Sequence, residues 1–414
     1  MNSECNLKLG DFVSLQRGIT YKGNLLGLPG PVLLGLASIQ PNGGFRHGAF
    51  KTYGGESPEK ITLRSGELYV SLKDVTQSGD LLGSVARLPK NIEKGRLTQD
   101  TVKLVFDGKP ISAAYIYWLL RTPEYREYCR ARGTGTTTLG LAREDFLNFK
   151  TPVPTEAEDS LVELLEAVET KIELLKETNA TLEAIAQALF KSWFVDFDPV
   201  RAKAKGLEPE GMDATTAALF PDSFEESELG LVPSGWKVGK VEDLMELPYG
   251  KALKATDRVD GPVPVYGSGG ITGCHNESLV NGPSVIVGRK GTVGSLYWED
   301  RPFFPIDTVF YVRTDNPLTY CYYLLQTLGL EDMNTDGAVP GLNRNNAYRL
   351  PVVVATTSIL ESFDEIVSSL RNKMFSNSQH TQTLIQLRDT LLPRLISGQL
   401  RLPEAEVMVE EICA

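Results

Sequence analysis

A single internal repeat constrains this chain most, because a sequence that states one pattern twice must fold into two similar modules. The landmarks recur in unchanged order. LGDF at 9–12 matches VEDL at 241–244, and each is followed by a glycine and a lysine, Gly18 with Lys22 and Gly250 with Lys254. DTV occurs at 100–102 and at 307–309, and YIYWLL at 115–120 matches YCYYLL at 320–325. GLARED at 140–145 matches GLNRNN at 341–346, and both runs lead to a proline among apolar residues, Pro152 and Pro351. The offset falls from 232 to 201 residues along the series, so the first copy holds the longer interior.

Each copy closes on a helical pattern. Leu161, Leu165, Val168, Ile172, Leu175, Asn179, Leu182, Ala186 and Leu189 recur at alternating steps of four and three. Ile359, Phe363, Ile366, Leu370, Lys373, Asn377, His380, Leu384 and Leu387 repeat those steps 198 residues later. Such spacing is the seam of a coiled coil, and an asparagine inside a seam fixes register at some cost in stability. Neither helix has a second apolar face, so the sequence predicts that the two pair, with Asn179 and Asn377 setting register. About 35 residues at 1.5 Å each give a rod of roughly 50 Å. Two unrelated surface helices, each packed on its own domain, are the alternative.

Between the copies the texture changes. KSWFVDFDPVRAKAKG (191–206) ends the first helix at Pro199, and residues 207–236 read as a connector, with little periodicity and many Pro, Gly and Ser. Trp193, Phe194, Phe197, Leu219, Phe220 and Phe224 are too many large apolar groups for a free linker. They either fill local core or form a partner surface.

Length and charge narrow the function classes. A chain of 414 residues predicts two or three domains. The net charge of −11 is unevenly spread: +6 over residues 1–150, −12 over 151–233, −2 over 234–351 and −3 over 352–414. The acidity of one central block says little about what the other segments touch. No apolar run approaches the roughly 18 residues of a membrane span, and the longest, LPVVVA at 350–355, suits a buried strand. The first ten residues lack a basic region followed by an apolar core, so a cytoplasmic protein without membrane association is expected. Cys5, Cys129, Cys274, Cys321 and Cys413, and His47, His275 and His380, are scattered, which predicts neither a disulfide framework nor a bound metal.

Catalytic motifs are absent from the sequence. There is no G-x-x-x-x-G-K-[ST], and GSGGITG at 267–273 has Thr272 where a dinucleotide fingerprint needs its third glycine. No Asn-Pro-Pro-aromatic run exists for methylation of a flipped adenine. Glu169-Thr170-Lys171, the nearest resemblance to a metal-nuclease cluster, is expected on a solvated helix face. What the copies offer instead is polar and basic loops. The first has Arg17, Thr20, Tyr21 and Lys22; then Lys73, Asp74, Thr76, Gln77 and Ser78 after the strand-like GELYVSL; then Arg132, Thr134, Thr136, Thr137 and Thr138. The second has Tyr249, Lys251 and Lys254; Tyr266, Ser268 and Asn276; Arg289, Lys290 and Thr292; and Arg344, Asn345 and Asn346. Arg, Lys, Asn and Gln read guanine and adenine edges, while Ser, Thr and backbone N–H groups hold phosphates. Loops of this kind on a duplicated scaffold point to DNA reading at two places.

At this point the sequence resembles the specificity subunit of a type I restriction-modification system, over essentially its whole length. ALFKSWFVDFDPVRAKAKG (188–206) and AALFPDSFEESELGLVPSGW (217–236) resemble that family's central conserved region. PVYGSGGITG (264–273), VGRKGTVG (287–294) and DTV (307–309) are similar to one class of its target recognition domains, and GELYVSLKDVTQSGDLLGSVARLP (66–89) to another. The resemblance implies an α+β fold: two globular mixed α/β target recognition domains separated by two long antiparallel coiled-coil helices, related by a pseudo-two-fold. The segments would be domain one at 1–152, helix at 153–198, connector at 199–233, domain two at 234–353, helix at 354–398 and tail at 399–414.

The resemblance further implies a chain without catalytic residues or cofactor. Two modification subunits would methylate adenine with S-adenosylmethionine, and restriction subunits would use ATP and Mg. Each domain would read half of an asymmetric, interrupted site on double-stranded DNA. Within the matched loops, the contacts would come from Lys73, Asp74, Thr76 and Gln77, and from Gly267, Ser268, Gly269, Arg289 and Lys290. The acidic block is expected to face the modification subunits, with Trp193, Phe194, Phe197, Phe220 and Phe224 as anchors. Rival expectations are the specificity module of a related single-chain methyltransferase-nuclease, and a coiled-coil scaffold without DNA contact.

Overall fold

The computed structural model describes residues 7–48, 50–76, 78–334 and 340–396. The chain forms two compact units: residues up to Leu174 together with those from Thr381 onward, and Leu175–His380. Two long helices, Glu156–Phe190 and Thr357–Ile396, each begin in one unit and end in the other.

The first unit is built on an antiparallel four-stranded sheet in the order Ser14–Arg17, Thr101–Val105, Leu68–Ser71, Val85–Arg87. Leu68, Tyr69, Val70 and Ser71 are all buried, so this strand has core on both faces and reads as a continuous rather than an alternating pattern. A second sheet joins Val32–Leu34, Lys94–Leu97 and Thr62–Arg64 around Leu34, Ile39, Leu63, Leu88 and Leu97. Helices Ala113–Leu119, Pro123–Arg132 and Arg143–Leu147 follow the sheets in sequence.

The second unit repeats this plan. Its central strand, Ser284–Gly288, is buried throughout and pairs antiparallel with Leu296–Glu299 on one side and Val309–Tyr311 on the other. Beyond Val309–Tyr311, Glu246 and Tyr249 bridge to Arg313 and Phe310, where the first unit has Ser14–Arg17. Helices Leu318–Gln326 and Arg344–Tyr348 answer Ala113–Leu119 and Arg143–Leu147. Smaller details also recur. The Lys8 N–H donates to Asp11 Oδ2 at 2.7 Å, and the Lys240 N–H to Asp243 Oδ2 at 2.8 Å. A Cβ on Gly18 would lie 2.0 Å from the Thr98 carbonyl oxygen, and one on Gly250 would lie 2.1 Å from that of Ile306. Both landmark glycines are therefore required by the same close approach of two backbones.

The long helices pair antiparallel. In the second unit, Asn377 Nδ2 donates to Asn179 Oδ1 at 2.8 Å, Asn179 Nδ2 donates to the Met374 carbonyl at 3.0 Å, and Arg371 meets Glu183 at 3.0 Å. In the first unit, Arg388 meets Glu169 at 2.8 Å. The seam of the second helix differs from the expected one. Phe363, Leu370, Asn377 and Leu384 are shared, but between them Val367, Met374 and Thr381 are buried while Ile366 and Lys373 face solvent. A step pattern starting with four instead of three keeps a lysine out of the seam. Glu169 is likewise not on a solvated face: its carboxylate accepts from Arg388 and lies 3.9 Å from Arg121, both nearly buried.

The connector is more structured than its composition suggested. The first helix ends at Phe190, passes through a π-helical turn at Lys191–Val195, and Pro199 sits in the first turn of a new helix, Asp198–Ala204, instead of terminating the old one. Proline suits that place, where no intrahelical N–H bond is lost. Ala214–Leu219 is helical, and Phe224–Ser227 pairs with Gly230–Pro233 as a hairpin. Of the aromatics proposed as partner anchors, Trp193, Phe194 and Phe220 are buried in the second unit's own core, stacked among Phe190, Trp236, Tyr320 and Phe363. At 1–7% exposure they fill core. Phe197 and Phe224 are half-buried against each other and Trp236.

Candidate nucleic-acid interface

In the second unit, loops separated by almost a hundred residues converge on one cavity of about 260 Å³, lined by Tyr249, Arg289, Lys290, Gly341, Leu342, Asn343, Arg344 and Asn345. The central strand ends at Gly288, which delivers Arg289 and Lys290 to the rim. Leu342 N–H donates to the Arg289 carbonyl at 2.8 Å, and Lys290 bridges to Gly341, so the GLNRNN segment is fastened along this strand end. Asn343 then caps the short helix Arg344–Tyr348, its Oδ1 accepting from the Asn345 and Asn346 N–H groups. Asn343 is thereby committed to the backbone.

The side chains form a stacked cationic group. The Arg289 and Arg344 guanidinium carbons lie 4.9 and 4.7 Å from the Tyr249 ring centre, a cation–π arrangement that orients both planar forks. Arg289 Nη1 also donates to the Asp307 carbonyl at 2.6 Å. No carboxylate lines the cavity among the described residues, so the groups that can fill it are acceptor-rich or anionic. Lys251, Lys254, Gly269 and Thr292 are exposed, and Ser268 is half-exposed with its carbonyl accepting from Ser295 and Tyr297. Tyr266 is buried, its hydroxyl donating to Glu299 at 2.9 Å, and Gly267 is buried with it. Burial, then the Glu299 carboxylate, push the Tyr266 phenol above its usual range. It supports the sheet and is no surface contact.

The same place in the first unit holds the first copy's candidates. Lys73 pairs with Gly140 as Lys290 does with Gly341, and the Leu141 N–H donates to the Leu72 carbonyl at 2.9 Å. Lys73 is half-exposed and ion-paired with Asp100 at 2.8 Å. Thr76 and Ser78 are exposed and share a hydroxyl hydrogen bond of 2.9 Å, while Gln77 lies outside the described residues. Asp74 is fully buried: its carboxylate accepts from the Thr76 N–H, the Thr76 hydroxyl and the Leu81 N–H at 2.6–2.7 Å. An aspartate spent on its own loop cannot reach a base, which corrects the expectation for Asp74.

Arg17 is exposed at the end of the first strand, Thr20, Tyr21 and Lys22 are exposed on the loop that follows, and Thr136 and Thr137 on the loop before Gly140. Sequence reading missed two arginines that hold these loops. Arg126, almost fully buried, donates to the carbonyls of Leu82, Asp80 and Gly79 at 2.7–3.1 Å. Arg96, also buried, donates to the Thr20 carbonyl at 2.9 Å and stacks 4.4 Å from the Tyr53 ring. Nothing in a lone arginine's neighbours in sequence marks it as buried; the loop carbonyls of Leu82, Asp80, Gly79 and Thr20 that these two hold are 44–76 residues away.

Among the described residues, no cluster of His, Cys, Asp and Glu could hold a metal, and no helix is long and apolar enough to cross a membrane. Comparison with known proteins adds the following. Residues 233–347 match the family profile of the type I restriction modification DNA specificity domain, a span that contains the whole cavity. The chain is 26% identical over 357 residues to the type I restriction enzyme HindI specificity subunit of Haemophilus influenzae, covering 69% of this chain and 77% of that one. It is 23% identical over 332 residues to the MjaIX specificity subunit of Methanocaldococcus jannaschii, covering 71% and 70%. In fold it is similar to the crystal structure of the type I restriction-modification S subunit from M. genitalium, with TM-score 0.55, 18% identity, and 95% and 98% of the two chains covered.

Proposed function

We propose that this chain, a member of the family of type I restriction-modification specificity subunits, reads an asymmetric, interrupted site on double-stranded DNA, one half with each copy of its repeat. One observation carries the reading: Lys73 and Lys290 occupy one equivalent position, each bridged to the glycine of a GLxR segment at the end of the central strand. A duplicated fold with duplicated polar loops at one matched place is what two reading heads require.

In this proposal the chain itself is not an enzyme and binds no cofactor. Modification subunits methylate adenine with S-adenosylmethionine, and restriction subunits, acting with ATP and Mg, cleave. The complex works in the cytoplasm. The central block with charge −12 would be repelled by phosphates, and it is assigned to the protein partners. Candidate contacts are Arg17, Thr20, Tyr21, Lys22, Lys73, Thr76, Ser78, Thr136 and Thr137 for one half. For the other they are Tyr249, Lys251, Lys254, Ser268, Gly269, Arg289, Lys290, Thr292, Arg344 and Asn345. Co-expression with its modification subunit in a methylation-free host, followed by long-read mapping, should reveal one bipartite methylated word. Absence of any word, or methyl transfer by the purified chain alone, would overturn the reading.

A further inference from the structure

The two copies use one arginine differently. In the first unit, Arg143 opens the short helix after GLA, and its Nη2 donates to the Leu15 carbonyl at 2.6 Å, so it ties that helix to the first strand. The repeat places Arg344 at the same point of the second unit. There the tie is made by another residue: Tyr348, whose hydroxyl accepts from the N–H of Leu247, the residue matching Leu15. Arg344 is thus released from the structural duty that its counterpart performs. It stacks 4.7 Å from Tyr249 and 5.6 Å from Tyr348, its Nε has no acceptor among the described residues, and it borders the 260 Å³ cavity. Arg344 also lines a second cavity with Glu242 and Glu246, where Glu246 is paired with Arg313 at 3.3 Å.

From this, and resting on the DNA-reading function above, we propose that Arg344 reads a guanine in the half-site recognised by the second unit. A guanidinium held against a ring presents its donors in one plane, and the guanine major-groove edge offers two acceptors, O6 and N7, in one plane. Arg289, already bonded to the Asp307 carbonyl, also lies 4.9 Å from the Tyr249 ring centre and helps to hold that ring in place.

The test uses the full chain assembled with its modification subunit. Arg344→Gln and Arg344→Lys are compared with wild type by long-read methylation mapping and by selection from a randomised duplex library at two salt concentrations. Arg344→Lys keeps the charge, so it reports even if Arg344→Gln assembles poorly. The expected result is loss of guanine preference at one position of one half-site, by about 5- to 150-fold, in both variants. The other half-site is unchanged. An unaltered word in Arg344→Lys would overturn the proposal, as would uniform weakening on all sequences with a shallower salt dependence, the mark of a phosphate contact. If wild type itself selects no word, the broader reading fails, and this outcome is distinguishable from the other two.

Discussion

Replacing Glu166 by Ala should loosen the first long helix from the first unit's domain. Glu166 accepts three hydrogen bonds: from Trp118 Nε1 at 2.7 Å, and from Arg87 Nη1 and Nη2 at 2.6 and 2.9 Å. Trp118 is fully buried, so its donor would be left without acceptor or water, at a cost of about 1–3 kcal/mol. The Arg87 and Glu166 side chains are 25% and 31% exposed, so that pair is partly screened and contributes about 1 kcal/mol. The sum, about 2–4 kcal/mol, corresponds to roughly 30- to several-hundred-fold faster amide exchange. Glu166→Gln keeps one acceptor for Trp118 and should cost about 1 kcal/mol. Hydrogen–deuterium exchange of peptides within 160–172 reads both variants against wild type. Unchanged exchange in Glu166→Ala would refute the reasoning. Equal losses in Ala and Gln would show that the charge, and not the buried indole donor, dominates.

Inserting seven residues after Glu177 and seven after Gln379 adds about 10.5 Å to each long helix, or about three base pairs; methylation mapping should then return the same two half-sites with a longer gap, and an unchanged gap would rule out the helices as a ruler. Burial raises the Cys321 thiol to about 11 and also raises Cys129, so at neutral pH both stay protonated and unreactive, whereas Cys274 is exposed. Site-resolved alkylation of the native chain at pH 7.5 should label Cys274 and spare the other two.

The repeat was legible because its landmarks are backbone-determined. Gly18 and Gly250 admit no side chain, and the aspartates of LGDF and VEDL cap their own turns, so both positions hold their residue type while surrounding loops change. The paired helices were legible from periodicity, yet the seam differs from the expected one between Phe363 and Leu384. Steps of three-then-four and four-then-three meet the same shared residues, and only the lysine at 373 distinguishes them. The candidate sites were legible as residue types but not as arrangements. Asp74 has the chemistry of a base reader and spends it on its own loop; Arg126 and Arg96, which fix loops, carry no local signal because their acceptors are carbonyls far away in sequence. The connector aromatics were ambiguous because core and partner surface demand the same residue types.

The central claim is that equivalent positions of a duplicated fold read different halves of one DNA word. Lys73→Ala and Lys290→Ala, each in the full chain with its modification subunit, test it by methylation mapping. Lys73→Ala should weaken or relax one half-site only, and Lys290→Ala the other half only. Both variants altering the same half, or neither altering any, would contradict it.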